Sequence, residues 1–329
     1  FKAILSGVAT SGQIGAFLMA LSQRGETLEE LLAGAELMRE LVVRVDAPEN
    51  AIDTCGTGGD AGSAGGGTYN ISTAVAFVLA GCGVPVAKHG NRSLSSKSGS
   101  SEVLEQMGVN LSLSPERIST CIHEAGMGFM FAPAHHSAMK HVGPVRAELG
   151  IRTIFNLLGP MSNPAAAKYQ LMGVFDYKWL TPLAETLKGL GSQKAWVVHG
   201  SDGLDEITTT GPTSVAALED GTVRRFEVSP EDAKLPIAKP EDLRGGSPEE
   251  NAIAMKALLA GDKSAYRDIV VLNSAAGLIV AGQAENLENG ARMAEQAIDS
   301  GKANDALNKL VEISQQSTHD RHPAKNFGL

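Results

Sequence analysis

Cysteine, aromatic residues, a basic surplus and long apolar runs are all scarce or missing in this sequence. The three cysteines, Cys55, Cys82 and Cys121, are an odd number and share no metal-ligand spacing. A disulfide scaffold is therefore not expected, and a reducing compartment, the cytoplasm, fits best. No stretch approaches the ~18 uninterrupted apolar residues of a membrane span. The first residue is Phe1 rather than Met and no charged-then-apolar leader follows it, so the chain reads as the body of a cytoplasmic protein with some N-terminal residues absent. Lys and Arg number 28 against 37 Asp and Glu, a formal net charge of −9. A general nucleic-acid binder carries the opposite imbalance, although a local basic pocket for a small anion is still compatible with this total.

What is present points to a globular enzyme-sized chain. At 329 residues, a prior of one domain per ~150 gives two. Apolar types make up 43%, enough for a sizeable core, and glycine is abundant, with 37 residues against a usual share of ~7%. Ile14, Phe17, Leu18 and Leu21 recur at the spacing of one helical face. Thr27 and Glu30 form a capping box, and the helix it opens is expected to bury Leu28, Leu31, Leu32, Ala35 and Met38. Pro48 ends this segment, so residues 1–46 read as a small helical domain.

From Ala51 onward the texture changes to short apolar runs, glycine turns and helical patterns. Val84–Ala87, Ala195–Val198 and Ile269–Leu272 read as buried strands. Their alternation with helical segments predicts an α/β fold with a mostly parallel central sheet, where ligands sit beyond the carboxyl ends of strands. Residues 215–228 read as an antiparallel pair turning at Asp220-Gly221. Ser317–Leu329 is polar and aperiodic and reads as a frayed tail.

Four segments carry chemistry. Gly56-Thr57-Gly58-Gly59-Asp60 is followed by Gly65-Gly66-Gly67 and Thr68-Tyr69-Asn70-Ile71-Ser72-Thr73. The match of Gly56, Gly58 and Ala61 to a dinucleotide fingerprint is accidental, because the glycines that follow forbid a helix within the motif and no acid lies ~20 residues on. A glycine loop running into a helix that starts near Ser72 is instead a general anion site. Lys88 to Ser100 leaves a strand and holds three cations and five serines, a set suited to several phosphate oxygens. Asp202-Gly203-Leu204-Asp205-Glu206 places adjacent carboxylates after a strand, as Mg²⁺ requires. His135, His136 and His141 suggest zinc at first sight, but neighbours in sequence cannot both readily reach one ion, so pocket-lining histidines are the better reading. Arg146 follows Pro144 and could clamp a carboxylate.

Taken together, Gly56 to Asp60, Asn70 to Ala74, Lys88 to Ser96, Asp202 to Glu206, Val145-Arg146 and Arg152 to Pro160 strongly resemble the anthranilate phosphoribosyltransferase family over nearly the whole chain. The resemblance implies a homodimer whose subunit joins a small helical domain, completed by helices from about 142–166, to an α/β domain over 47–329. It implies transfer of the phosphoribosyl group from phosphoribosyl pyrophosphate to anthranilate, with Mg²⁺ and with no covalent nucleophile. Gly56, Gly59, Asp60, Thr68, Asn70, Ser72, Thr73, Lys88, Asn91, Arg92, Ser93, Ser95, Ser96 and Ser100 would surround the ribosyl pyrophosphate. Lys88 would stabilise it electrostatically. Ser72, Asp205 and Glu206 would serve Mg²⁺. Gly56, His89, Asn91, His136 and Arg146 would line the anthranilate path. Neither nucleic acid nor membrane is an expected partner. The loop Ala61 to Gly67 is longer than is usual in the family, and the family normally has another helix before Phe1. A nucleoside phosphorylase of the same fold, or a non-catalytic nucleic-acid-binding relative, are the competing readings. The serine run, Arg146, the acidic pair and the negative charge oppose them.

Overall fold

The computed structural model describes residues 1–58, 67–92 and 98–316. The N-terminal part comprises helices α1 (Lys2–Leu5), α2 (Ser11–Arg24) and α3 (Leu28–Leu41). The expected capping box at α3 is formed: Thr27 Oγ1 accepts from the Glu30 amide at 3.3 Å and Glu30 Oε2 accepts from the Thr27 amide at 2.9 Å. Thr10 and Gln13 make a second box at α2. Leu31, Ala35 and Met38 are buried. Leu28, expected to join them, is 41% exposed. It opens the helix, and a helical side chain leans toward the N-terminus, so this one projects over the preceding loop instead of the core.

The larger part is a seven-stranded sheet in the order β3-β2-β1-β4-β5-β6-β7. Its strands are β1 (Ile52–Gly56), β2 (Val86–Gly90), β3 (Met127–Phe131), β4 (Tyr169–Gly173), β5 (Lys194–Gly200), β6 (Thr213–Glu219) and β7 (Thr222–Val228). The first five pair in parallel, and β6 and β7 are antiparallel and turn at Asp220-Gly221 as expected. The chain thus folds as a small helical domain and a larger α/β domain with a mostly parallel sheet. The chain builds from β1 outward to β2 and β3, then returns to place β4 on the other side of β1. That reversal opens a crevice at the carboxyl ends of β1 and β4.

Crossovers between the parallel strands are α4 (Ile71–Gly81), α5 (Ser100–Gln106), α6 (Pro115–Ala125), α7 (Ala132–His135), α8 (Gly143–Leu149), α9 (Ile154–Leu158) and α10 (Leu180–Gly189). The chain ends in α11 (Pro248–Leu259), α12 (Ala265–Val280), α13 (Leu287–Asp299) and α14 (Lys302–Gln315). One core lies between a sheet face and α4, α12, α13 and α14. A second joins the other face to α10 and continues without a break into Leu18, Leu31, Phe155 and Leu158 of the helical region. There α8 and α9 pack against α2 and α3, and Ser22 Oγ donates to the Arg152 carbonyl at 3.3 Å.

Two strand expectations are corrected. Ile269–Leu272 lies in the middle of α12, a 16-residue helix buried on nearly every side. A short apolar run looks the same whether a buried strand or a buried helix carries it. The run from Val84 begins as a strand only at Val86, because the Val84 amide is committed to the Leu79 carbonyl in the turn that closes α4. Strands β1, β3 and β4 were not marked by the sequence pattern. The expected frayed tail, 317–329, lies outside the described residues.

Helix α4 is the central strut of the first core, and Phe77 at its middle is fully buried. Phe77→Ala is expected to lower the unfolding free energy by about 3–5 kcal/mol in urea denaturation. A loss within error of zero would place this ring outside the load of the core.

Candidate active site

The crevice at the end of β1 is shaped by two glycines paired in register, Gly56 and Gly173. The segment after β5 carrying Asp205 lies directly on them. A Cβ on Gly173 would fall 1.5 Å from the Asp205 carbonyl oxygen, and one on Gly56 would fall 2.4 Å from Asp205 Oδ2. Only hydrogen fits at Gly173, and a side chain at Gly56 would displace the Asp205 carboxylate. With the backbones that close, the Gly58 amide donates to Asp205 Oδ2 at 2.8 Å.

The next carboxylate reaches a different element. Glu206 Oε1 accepts from the Ser72 amide at 3.1 Å in the first turn of α4, where helix amides lack intrahelical partners. Ser72 Oγ in turn accepts from Lys88 Nζ at 3.1 Å, and the same ammonium donates to the Thr54 carbonyl. Thr54 Oγ1 closes the set by donating to the Ser72 carbonyl at 3.1 Å. Lys88 is buried, which pushes its pKa down, while the negative charges of Asp53, Cys55 when ionised and Glu206 work against that shift. Asp53 is also buried; desolvation lifts its pKa to about 6, opposed by hydrogen bonding with Asn163, the Lys88 charge and the His89 amide.

Beyond this node the loop exit is fixed. Asn70 Oδ1 accepts from Asn251 Nδ2 at 2.9 Å and from Ser98 Oγ at 3.2 Å. Thr73 Oγ1 donates to Ser100 Oγ at 2.9 Å. Thr68 forms an antiparallel bridge with Arg244, and Gly245 sits so close that a Cβ would meet the Thr68 carbonyl at 2.4 Å.

On the far side of Lys88 two imidazoles meet: His136 Nε2 lies 3.2 Å from His89 Nε2, so one nitrogen donates and the other accepts. Burial drives the His89 pKa well below its ordinary value, with the neighbouring histidines adding to the effect. His136 falls to about 4 through burial and then His135, partly opposed by a hydrogen bond with the Ser162 backbone. Both rings are neutral at pH 7. His135 turns away and bonds the Val43 carbonyl at 2.8 Å. Among the described residues no three His, Cys, Asp or Glu side chains form a metal-sized group, so the zinc pattern is not realised.

Sequence-expected residues thus divide into sets. Gly56, Ser72, Lys88, Asp205 and Glu206 are linked at one strand end, with Asn70, Thr73 and Ser100 along the adjoining loop exit, and His89 and His136 form a second set. Arg146 half-buries against the Phe155 ring and donates to Asn156 Oδ1 at 3.2 Å, with its buried Nε left without a partner. Arg92 is drawn elsewhere, with an exposed ion pair to Glu105 at 3.6 Å, and Asn91 accepts from the Arg92 amide. Gly59, Asp60, Ser93, Ser95, Ser96 and most of the loop Ala61 to Gly67 lie outside the described residues. Sequence reading missed Asp53, Thr54, Gly173 and Asn251. The polar pair inside the apolar Ile52–Cys55 run was a usable signal for the first two. Nothing local marks Asn251, whose bond to Asn70 spans 181 residues.

The described residues include no helix long and apolar enough to cross a membrane. A model of the glycosyl transferase family a/b domain matches residues 48–304, and one of its helical bundle domain matches residues 1–42. The chain is 61% identical over 311 residues to an anthranilate phosphoribosyltransferase of Parvibaculum lavamentivorans, covering 94% of this chain and 90% of the relative. It is 61% identical to one of Rhodospirillum rubrum, covering 95% and 89%. A crystal structure of the Thermus thermophilus enzyme of that name superposes with a TM-score of 0.90 at 42% identity, covering 96% and 93% of the two chains. That of Saccharomyces cerevisiae, in complex with phosphoribosyl pyrophosphate and Mg, superposes at 0.84 with 27% identity, covering 95% and 90%. The chain belongs to this glycosyl transferase family, among its anthranilate phosphoribosyltransferases.

The histidine pair has a pH signature. Because folding lowers the His136 pKa from 6.5 to about 4, the unfolded chain binds a proton over that window that the folded chain refuses. Stability therefore falls as pH drops from 6.5 toward 4, by up to roughly 3 kcal/mol for this one group. His136→Gln is expected to lose less stability than the parent between pH 7 and 4.5 in urea titrations. Equal losses in both proteins would contradict the assignment.

Proposed function

We propose that the crevice at the ends of β1, β2 and β5 binds phosphoribosyl pyrophosphate and that the adjoining wall of His89, His136 and Arg146 receives anthranilate. The chain transfers the 5-phosphoribosyl group from the first to the amine of the second, giving N-(5-phosphoribosyl)anthranilate and pyrophosphate in tryptophan biosynthesis. The observation carrying the site assignment is the Gly58–Asp205, Ser72–Glu206 and Ser72–Lys88 set of bonds. They bring the glycine loop, the serine helix, the basic strand end and the acidic pair to one place, although 34 residues separate Lys88 from Thr54 and 134 separate Glu206 from Ser72.

Asp205, Glu206 and the Ser72 hydroxyl are oxygen donors in a set too small to cage an ion, which fits Mg²⁺, a cation that shares its sphere between one or two carboxylates and substrate oxygens. These residues would hold Mg²⁺, which would supply positive charge against the pyrophosphate oxygens. Amides at the start of α4 and in the Gly56–Gly58 turn contribute fixed positive dipoles without reorganising. Lys88, held by Thr54 and Ser72, adds its charge from behind Ser72. Asn70, Thr68, Thr73, Ser100, Asn91 and Arg92 are assigned to the same substrate.

No protein nucleophile is required. The amine attacks the anomeric carbon as pyrophosphate leaves, through an oxocarbenium-like transition state of the kind seen in glycoside cleavage. Neutral His89 and His136 add no charge of their own to the acceptor wall. The Arg146 guanidinium, with one buried nitrogen unpartnered, is assigned to the acceptor carboxylate. The helical part, residues 1–46 with helices from 142–166, is assigned to the interface of a homodimer. Val8, Met19, Leu41 and Val43 expose 78%, 42%, 44% and 44% of their surfaces there, which supports a covering partner. Three free cysteines fit the reducing cytoplasm.

Calorimetry with phosphoribosyl pyrophosphate, with and without Mg²⁺, followed by loss of anthranilate fluorescence, tests the assignment. Asp205→Asn combined with Glu206→Gln is expected to abolish Mg²⁺-dependent turnover, and near-normal rates would reject the acidic pair. Arg146→Ala should raise the anthranilate KM by tenfold or more, in line with about 1.5–3 kcal/mol for a hydrogen bond to a charged group. An unchanged KM would assign Arg146 a purely structural role.

A further inference from the structure

Asn273, in the middle of α12, is fully buried and lies outside every segment assigned above. Its side-chain amide clasps both ends of one residue. Oδ1 accepts from the Ile207 amide at 2.9 Å, and Nδ2 donates to the Ile207 carbonyl at 2.8 Å and to the Ile269 carbonyl of its own helix at 2.8 Å. Ile207 directly follows Glu206. The other side of the same segment is tied independently: Asp202 accepts from Thr208 Oγ1 at 2.6 Å and Thr210 Oγ1 at 2.7 Å.

One turn further along α12, Gly277 receives Leu79 of α4, whose side chain would lie 2.9 Å from a Cβ placed there. Positions four apart share a helix face, so α12 presents to its neighbours an amide that fixes Ile207 and a notch that fixes α4. The opening turn of α4 carries Ser72, whose amide is the partner of Glu206. A single rigid helix thereby sets the spacing between the two elements that hold the oxygen donors.

We propose that Asn273 is a positioning residue that sets the Glu206 carboxylate opposite Ser72 and so tunes the affinity for the metal–pyrophosphate substrate. It rests on the reading of Asp205, Glu206 and Ser72 as Mg²⁺ donors. Loss of the clasp frees the Ile207 peptide to rotate, and a carboxylate one residue away shifts with it. Arg146, on α8, is not linked to this helix by any of the bonds above, so binding of the acceptor is unaffected.

The test uses the full chain. In Asn273→Ala the Mg²⁺ concentration giving half-maximal binding of phosphoribosyl pyrophosphate, measured by calorimetry without anthranilate, is expected to rise tenfold or more. The anthranilate KM at saturating Mg²⁺ should change less than twofold. Leu278→Ala, which opens a cavity in the same helix and keeps the Asn273 bonds to Ile207, should lower the thermal midpoint and leave the Mg²⁺ requirement within twofold of the parent. If Asn273→Ala does not fold, Asn273→Asp has the same size and keeps the acceptor facing the Ile207 amide. Its buried carboxyl can donate only when protonated, so its Mg²⁺ defect relative to the parent should shrink from pH 8 to pH 6. An unchanged Mg²⁺ requirement in the folded variant, or equal shifts for Mg²⁺ and anthranilate, overturns the proposal. A parent protein that binds phosphoribosyl pyrophosphate identically with and without Mg²⁺ overturns the metal assignment itself. That result is separate, because it appears before any variant is made.

Discussion

A buried ammonium persists only when polar atoms around it take over the work of water. Lys88 is such a group, and its surroundings organise the carboxyl edge of the sheet. The Thr54 carbonyl and the Ser72 hydroxyl accept its protons, and Asp53 and Glu206 supply opposing charge. These partners lie on three elements: Asp53 and Thr54 on β1, Ser72 on α4, and Glu206 in the segment after β5. The need to satisfy one cation is therefore also what draws the glycine turn, the serine helix and the acidic pair together. Remove the charge, and three segments lose their shared reason to converge.

Position in the sheet does the rest. A parallel sheet that builds outward on one side of β1 and then on the other leaves a gap where the connections diverge, and loop amides face into it. The α4 N-terminus borders that gap, and its Ser72 amide, which has no partner within the helix, is the one that holds Glu206. The antiparallel pair β6–β7 lies at the opposite edge from β3 and takes no part in the crevice. Its role is to extend the platform under α10, whose packing completes the second core.

Much of this was legible in the chain itself, for physical reasons that differ by element. Capping boxes and the Asp220-Gly221 turn are local chemistry, so Thr27, Glu30 and the hairpin could be read directly. The chemistry-bearing segments announced themselves because glycine, serine and paired acids are costly in a core and gather where a ligand replaces the missing contacts. The Ile269–Leu272 run was misread because total burial erases the periodicity that separates helix from strand. The bonds from Asn251 to Asn70 and from Asn273 to Ile207 were invisible for another reason: they join residues 181 and 66 positions apart, and neither residue sits in a motif. Arg92, legible by its type and its place after β2, meets Glu105 only in an exposed pair at 3.6 Å, too weak a tie to keep it from an anion.

Gly173 sets the floor of the cleft. With only 1.5 Å between a would-be methyl and the Asp205 carbonyl, this position admits no side chain at all while the acidic segment keeps its place. The half of the cleft proposed for the sugar donor is thus fixed in part by main-chain contact, whereas the proposed acceptor wall is built from the side chains of His89, His136 and Arg146. Descendants of this scaffold can drift toward other aromatic amines by altering that wall, but a change of sugar donor would demand rebuilding the floor.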